Sequence, residues 1–196
     1  LQFVFKGGTA LMLLLNSTKR LSIDIDIILP QEPENLEELL NAIVIEQGFL
    51  KWELQHRNTQ SKIKKEHYKF FYTPLHKTNK VEEYVLLDIL FEDVNYSNII
   101  PKHISSDFVP IVGEPLNVNV PSLEDILGDK LTAYAPNTTG IPYFKKEDSM
   151  SMEIIKQLYD IGNLFDLVSD IEIIKTTFFR FAKTEIAYRK SNGITE

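Results

Sequence analysis

Two aspartates two residues apart in an aliphatic run constrain this chain most: Leu21-Ser-Ile-Asp-Ile-Asp-Ile-Ile-Leu29. The run alternates, so it reads as a strand over 21–29 that Pro30 ends. Ile23, Ile25 and Ile27 take one face; Ser22, Asp24, Asp26 and Ile28 take the other. Asp is depleted in strands, and two of them on one face repel when both are ionised. A divalent cation removes that repulsion, and hard cations prefer oxygen ligands. Asp24 and Asp26 are therefore expected to hold Mg²⁺ or Mn²⁺; the plainer reading is a solvated strand face.

Upstream, residues 2–5 read as a short strand and Thr9 to Asn16 as a helix, with Gly7-Gly8 between them. Such a turn lets backbone approach a ligand and aims free N–H groups at an anion. Gly7, Gly8 and Thr9 are the expected phosphate contacts, with Ser22 and Arg20 beside them. A lone Gly-Gly is weak evidence, because a tight turn explains it as well. Fifteen residues later comes Asp-x-Asp on a strand, and the pair supplies a phosphate site beside a metal site. Two-metal phosphoryl chemistry also asks for a third carboxylate. Asp88 is the candidate, since it lies inside Val85-Leu-Leu-Asp-Ile-Leu-Phe91, where an ionised side chain is costly without a partner. Glu92 and Asp93 sit at that strand's end, where charges are ordinary.

The rest of the pattern is mixed. A helix starts at Asn35 with capping-box spacing to Glu38 and stops at Gly48. Strands are expected over 49–56, 63–72 and 81–92, with loops over 73–80 and 93–120. Ser122 with Asp125 starts a helix to about Tyr134; helices also run from Ser151 to about Leu167 and from Ser169 to about Tyr188. The expected organisation is an α+β core over 1–135, a mixed sheet with flanking helices, then a linker over 136–150 and a helical C-terminal region over 151–196. No internal repeat is visible.

Composition removes whole classes. With 21 Lys+Arg against 28 Asp+Glu the net charge is −7, so there is no overall basic coat for nucleic acid. Cysteine is absent, which excludes disulfide scaffolds and thiolate chemistry and fits a cytoplasmic protein. No run approaches the roughly 18 apolar residues of a membrane span. The chain begins at Leu1 rather than Met, as an excised or processed fragment would. His56, His67, His76 and His103 show no ligand spacing. Lys62-Ile-Lys-Lys-Glu-His-Tyr-Lys69 is the one dense basic stretch; with Tyr68, Phe70 and Tyr72 it could grip RNA by charge and stacking, or be a solvated hairpin.

Phe5-Lys-Gly-Gly-Thr-Ala-Leu11, with Arg20-Leu-Ser-Ile-Asp-Ile-Asp26, resembles the opening motif of the AbiEii/AbiGii toxin family. The likeness continues at Asp129-Lys-Leu131 and at Lys156-Gln-Leu-Tyr-Asp-Ile161, although Gln157 stands where an acidic residue is expected. The resemblance implies a nucleotidyltransferase fold, NMP transfer from an NTP to an acceptor hydroxyl (tRNA as the first candidate), and a toxin of an abortive-infection system with a cognate antitoxin. It implies that Lys130 contacts the triphosphate and that Lys156, Asp160 and Asn163 close the site. The plainer reading of Lys156 and Asp160 is a surface ion pair worth about 0.3–0.5 kcal/mol. Alternatives are transfer to a small molecule such as an antibiotic, transfer to a protein side chain, or a non-catalytic nucleotide-binding module. Against the last stands the retention of three mutually repelling carboxylates.

Overall fold

The computed structural model describes residues 2–15, 20–55, 64–76, 80–105, 112–136 and 138–190. Asn16, His56, Lys62 and Ile63 lie outside the described residues. The chain divides into two compact units.

The first unit is a mixed sheet with two helices. Its elements are β1 (Val4–Lys6), α1 (Gly7–Leu14), β2 (Ile25–Ile28), α2 (Leu36–Gln47), β3 (Lys51–Leu54), β4 (Lys64–Tyr72) and β5 (Glu83–Phe91). They lie in the order β3-β4-β5-β2-β1. β2 runs parallel to β5, and the other neighbouring pairs are antiparallel. Ile27 and Ile28 are both buried, as are Ile89 and Leu90, so the two central strands are covered on both faces. Each such side chain contributes about 1.5–3 kcal/mol of burial, which offsets placing Asp26 and Asp88 in the same strands. β2 is shorter than the expected 21–29. Ile23 is exposed and Asp24 precedes the strand, so the alternation marks only its second half.

α2 ends as expected at Gly48, whose φ of 72° lets the left-handed cap form. Its start differs: the Asn35 side chain makes no capping bond. Trp52 on β3 reaches α2 through a 2.8 Å hydrogen bond to Asn41 and packs edge-on against Tyr68.

The expected loop over 93–120 contains two strands, β6 (Ile99–His103) and β7 (Asn117–Pro121), which are neighbours in the sheet order. β7 alternates Asn with buried Val118 and Val120. The second unit is otherwise α3 (Leu123–Tyr134), a two-stranded hairpin of β8 (Phe144–Lys145) and β9 (Asp148–Ser149), α4 (Ser151–Phe165) and α5 (Ile171–Lys190). Gly128 allows α3 to sit close to α5: a Cβ there would lie 2.8 Å from the Ile174 carbonyl oxygen. Asp125, fully buried, accepts from the Ser97 and Asn98 amides, the Ser122 hydroxyl and the Thr177 hydroxyl, tying the approach to β6 to α3 and α5. The Ser122 hydroxyl accepts from the Asp125 amide as the expected N-cap. No helix among the described residues is long and apolar enough to cross a membrane.

Candidate active site

Four ionisable side chains form a transverse row on one face of the first unit's sheet. Lys6 on β1 stands opposite Asp26 on β2; Asp26 is in register with Asp88 on β5; Asp88 is opposite His67 on β4. Residues paired in register point to the same face. Two carboxylates one strand apart, ~5 Å, repel by about 3 kcal/mol at an effective dielectric of 20. The row places a cationic or imidazole residue at each end against that repulsion.

His67 is the residue that sequence reading passed over. Its Nδ1 lies 2.7 Å from Asp88 Oδ1, and its side chain is 11 % exposed against 26 % for Asp88. A search for histidine ligand spacing cannot find it, because the partner is a carboxylate on a neighbouring strand.

The Gly-Gly turn adjoins this row for steric reasons. Gly7 has φ 66°, a conformation other residues adopt at a cost, and a Cβ there would collide with the Asp26 carboxylate. A Cβ on Gly8 would come within 2.6 Å of the Ser22 hydroxyl and 3.0 Å of the Arg20 guanidinium. Gly7, Gly8, Ser22, Arg20 and Asp26 are thus neighbours. The Thr9 hydroxyl donates to the Asp24 carbonyl, so its proton anchors Asp24 to the start of α1. Lys6, at the N-cap of α1, makes no side-chain capping bond.

Among the described residues no three His, Asp or Glu side chains are gathered about one point as a formed metal site. The donor chemistry nevertheless fits a hard cation. Asp24, Asp26 and Asp88 offer oxygen only, and the register brings Asp26 beside Asp88.

In the second unit, Lys130 Nζ lies 2.8 Å from Asp160 Oδ2, with the two side chains 7 % and 1 % exposed. Gln157 accepts a further bond from the ammonium at 3.3 Å. The sequence places Lys130 at the edge of an apolar stripe, but it is buried. Asp160 is buried too, whereas Lys156 on the same helix is exposed, so the expected polar stripe parts into a buried and a solvated member. Asn163 donates to the Tyr159 carbonyl. Asp129 accepts from the Tyr96 hydroxyl.

The basic stretch is sorted by strand alternation. Tyr68 and Phe70 are buried on the face away from Asp88, so they offer no ring to a base. Lys64 is paired with Glu32 and Glu66. The Glu32 hydrogen bond holds its ammonium above the usual lysine range, against a smaller opposing effect of burial. Lys65, Lys69 and Phe71 share the Asp88 face. There Lys69 lies 4.4 Å over the Tyr84 ring, whose residue is 43 % exposed.

A family model described as nucleotidyl transferase AbiEii toxin, type IV toxin–antitoxin system, matches residues 1–193. Among solved structures, the antibiotic-resistance factor ANT(2'')-Ia matches at 18% identity over 98% of this chain and 88% of its own, with a TM-score of 0.46. JHP933 from Helicobacter pylori matches at 16% identity over 97% and 86%, with a TM-score of 0.40. No curated protein matches the chain.

Proposed function

The chain belongs to the nucleotidyl transferase AbiEii toxin family of type IV toxin–antitoxin systems, and on that premise we propose metal-dependent transfer of NMP from an NTP to the hydroxyl of an RNA end, tRNA first. The new bond joins the acceptor oxygen to the α-phosphorus; the bond from that phosphorus to the bridging oxygen breaks, and pyrophosphate leaves. The observation that carries this reading is the register of Asp26 with Asp88 beside the Gly7-Gly8 turn.

Asp24 and Asp26 would hold Mg²⁺ or Mn²⁺, which when bound neutralises phosphate charge. Asp88 takes the acceptor proton, or serves as the third ligand. The backbone amides at the start of α1, at Gly7, Gly8 and Thr9, with Ser22 and Arg20, hold phosphate oxygens. Catalysis is chiefly positioning and electrostatics. For Lys130, Lys156 and Asp160 the family likeness suggests triphosphate contacts and site closure. The geometry of their own unit supports a buried ion pair for Lys130 and Asp160 first.

An RNA acceptor draws support from Lys69 and the partly exposed Tyr84 ring, a cation and an aromatic surface on the same sheet face as Asp88, four residues along β5 from it. The family description supports a toxin role, with growth arrest relieved by a cognate antitoxin. The test is incubation with each α-³²P-labelled NTP, Mg²⁺ or Mn²⁺, total RNA and lysate protein, beside Asp24→Ala/Asp26→Ala. Label in tRNA-sized RNA, lost in the double variant, is expected. Label in protein instead would transfer the reading to side-chain nucleotidylation, and no label in any fraction would overturn it.

A further inference from the structure

We propose that His67 is a positioning residue of this site, whose Nδ1–H holds one oxygen of Asp88 so that only the other is presented to the acceptor. The inference rests on the transfer reading above for its consequence, but the contact stands on geometry alone.

A carboxylate in its ionised form can only accept, so with Asp88 in that form the donor of the 2.7 Å contact is Nδ1–H of His67. The bond joins directly opposed residues of an antiparallel pair, so backbone pairing already sets the two Cβ atoms within side-chain reach. The backbone carrying His67 is held on both sides: β5 pairs along β4 from Lys64 to Tyr72, and the His67 carbonyl accepts from the Gln55 amide at 2.7 Å. The imidazole is 11 % exposed and thus shielded from water that would compete for the bond. Asp88, at 26 %, keeps an accessible side. A carboxylate without this bond turns about its Cβ–Cγ axis and presents either oxygen. With it, Oδ1 is committed and Oδ2 remains for the acceptor hydroxyl. His67 itself touches no reacting atom.

Asparagine and leucine variants separate this role from core filling. Asn places an amide donor near the position of Nδ1; Leu fills the volume but has no donor. The expected result is that His67→Leu lowers kcat by roughly 10- to 100-fold, as lost support of a site residue does, with KM for the NTP nearly unchanged. His67→Asn is expected to recover most of that loss although it is the less stable variant. A core-filling role gives the reverse ranking, with Leu as active as wild type, and overturns the proposal. The second readout needs no turnover. At pH 8, ¹⁵N-edited NMR of the imidazole in wild type is expected to show Nδ1 protonated, and its signals shifted in Asp88→Ala. Nδ1 unprotonated, or unmoved by Asp88→Ala, overturns the contact. A wild type without transferase activity sinks the transfer reading alone, and the imidazole signals still decide on His67.

Discussion

Removing the Asp160 carboxylate is expected to destabilise the helical unit by about 3–5 kcal/mol, the cost of leaving one charge of a buried pair uncompensated. The contact is 2.8 Å, and neither side chain exceeds 7 % exposure. At an effective dielectric of 20 the attraction is about 6 kcal/mol, but desolvating two ions costs several kcal/mol each, so the intact pair is close to neutral. In Asp160→Ala the attraction goes and the Lys130 desolvation cost stays. Gln157 offers only a neutral oxygen at 3.3 Å. For a chain of this length 1 kcal/mol shifts Tm by roughly 2–4 °C, so a fall of about 6–20 °C is expected by circular dichroism at 222 nm. The double replacement Lys130→Met/Asp160→Leu removes both ions and is expected to recover most of the loss. A loss below about 1 kcal/mol in Asp160→Ala would refute the reasoning, because the ammonium would then be reaching water.

Gly7→Ala is expected to destabilise by about 1–2 kcal/mol through its positive φ, and to lower transfer at least about tenfold because the new Cβ displaces the Asp26 carboxylate; full activity in the labelled-NTP assay would remove Gly7 from the site. Asp125→Ala strips the acceptor from two amides and two hydroxyls and is expected to cost about 3–5 kcal/mol by urea unfolding, with Asp125→Asn recovering part of it; equal losses in the two variants would refute a hydrogen-bond origin. Burial first, and the Glu66 carboxylate second, push the Tyr68 hydroxyl above the usual tyrosine range. Because its folded value is raised, this contribution to stability is complete below pH of about 10 and is lost as pH rises through the folded value. Absorbance at 295 nm is expected to show a late-ionising phase that is absent in Tyr68→Phe; a titration curve unchanged by Tyr68→Phe would count against it.

Much of the fold is legible residue by residue. Val85 to Phe91 reads as a strand because its aliphatic run is too dense for a solvated segment, and it is one. Ser122 with Asp125 reads as a helix start because the capping bond spans three residues, and it forms. Asn35 with Glu38 has the same spacing, yet the Asn35 side chain makes no cap; its backbone, at φ −105° and ψ 29°, is not in the extended conformation of a capping residue such as Ser122. β7 carried a period-two signal in Asn117-Val-Asn-Val120 that the neighbouring Asn, Gly and Pro residues mask. Asp26 and Asp88 are recognisable as costly residues in apolar strands. What they face is not, because strand alternation assigns a residue to a face without saying which strand lies next to it.

The sequence by itself determined the local pieces: the Gly-Gly break before α1, Asp26 of β2 with Asp24 just before it, the lone aspartate of β5 and the caps of α2's end and α3's start. Each depends on a dihedral preference or a repeat spanning a few residues. Only the tertiary structure decided that Asp26 stands in register with Asp88, that His67 rather than another residue meets Asp88, and that Lys130 closes on Asp160. The same level of organisation turned Tyr68 and Phe70 away from the face that carries Asp88. These are contacts between residues far apart in the chain. They follow from strand register and helix packing, which the burial of whole faces selects together, and a one-residue slip of a strand would exchange its partners across the sheet.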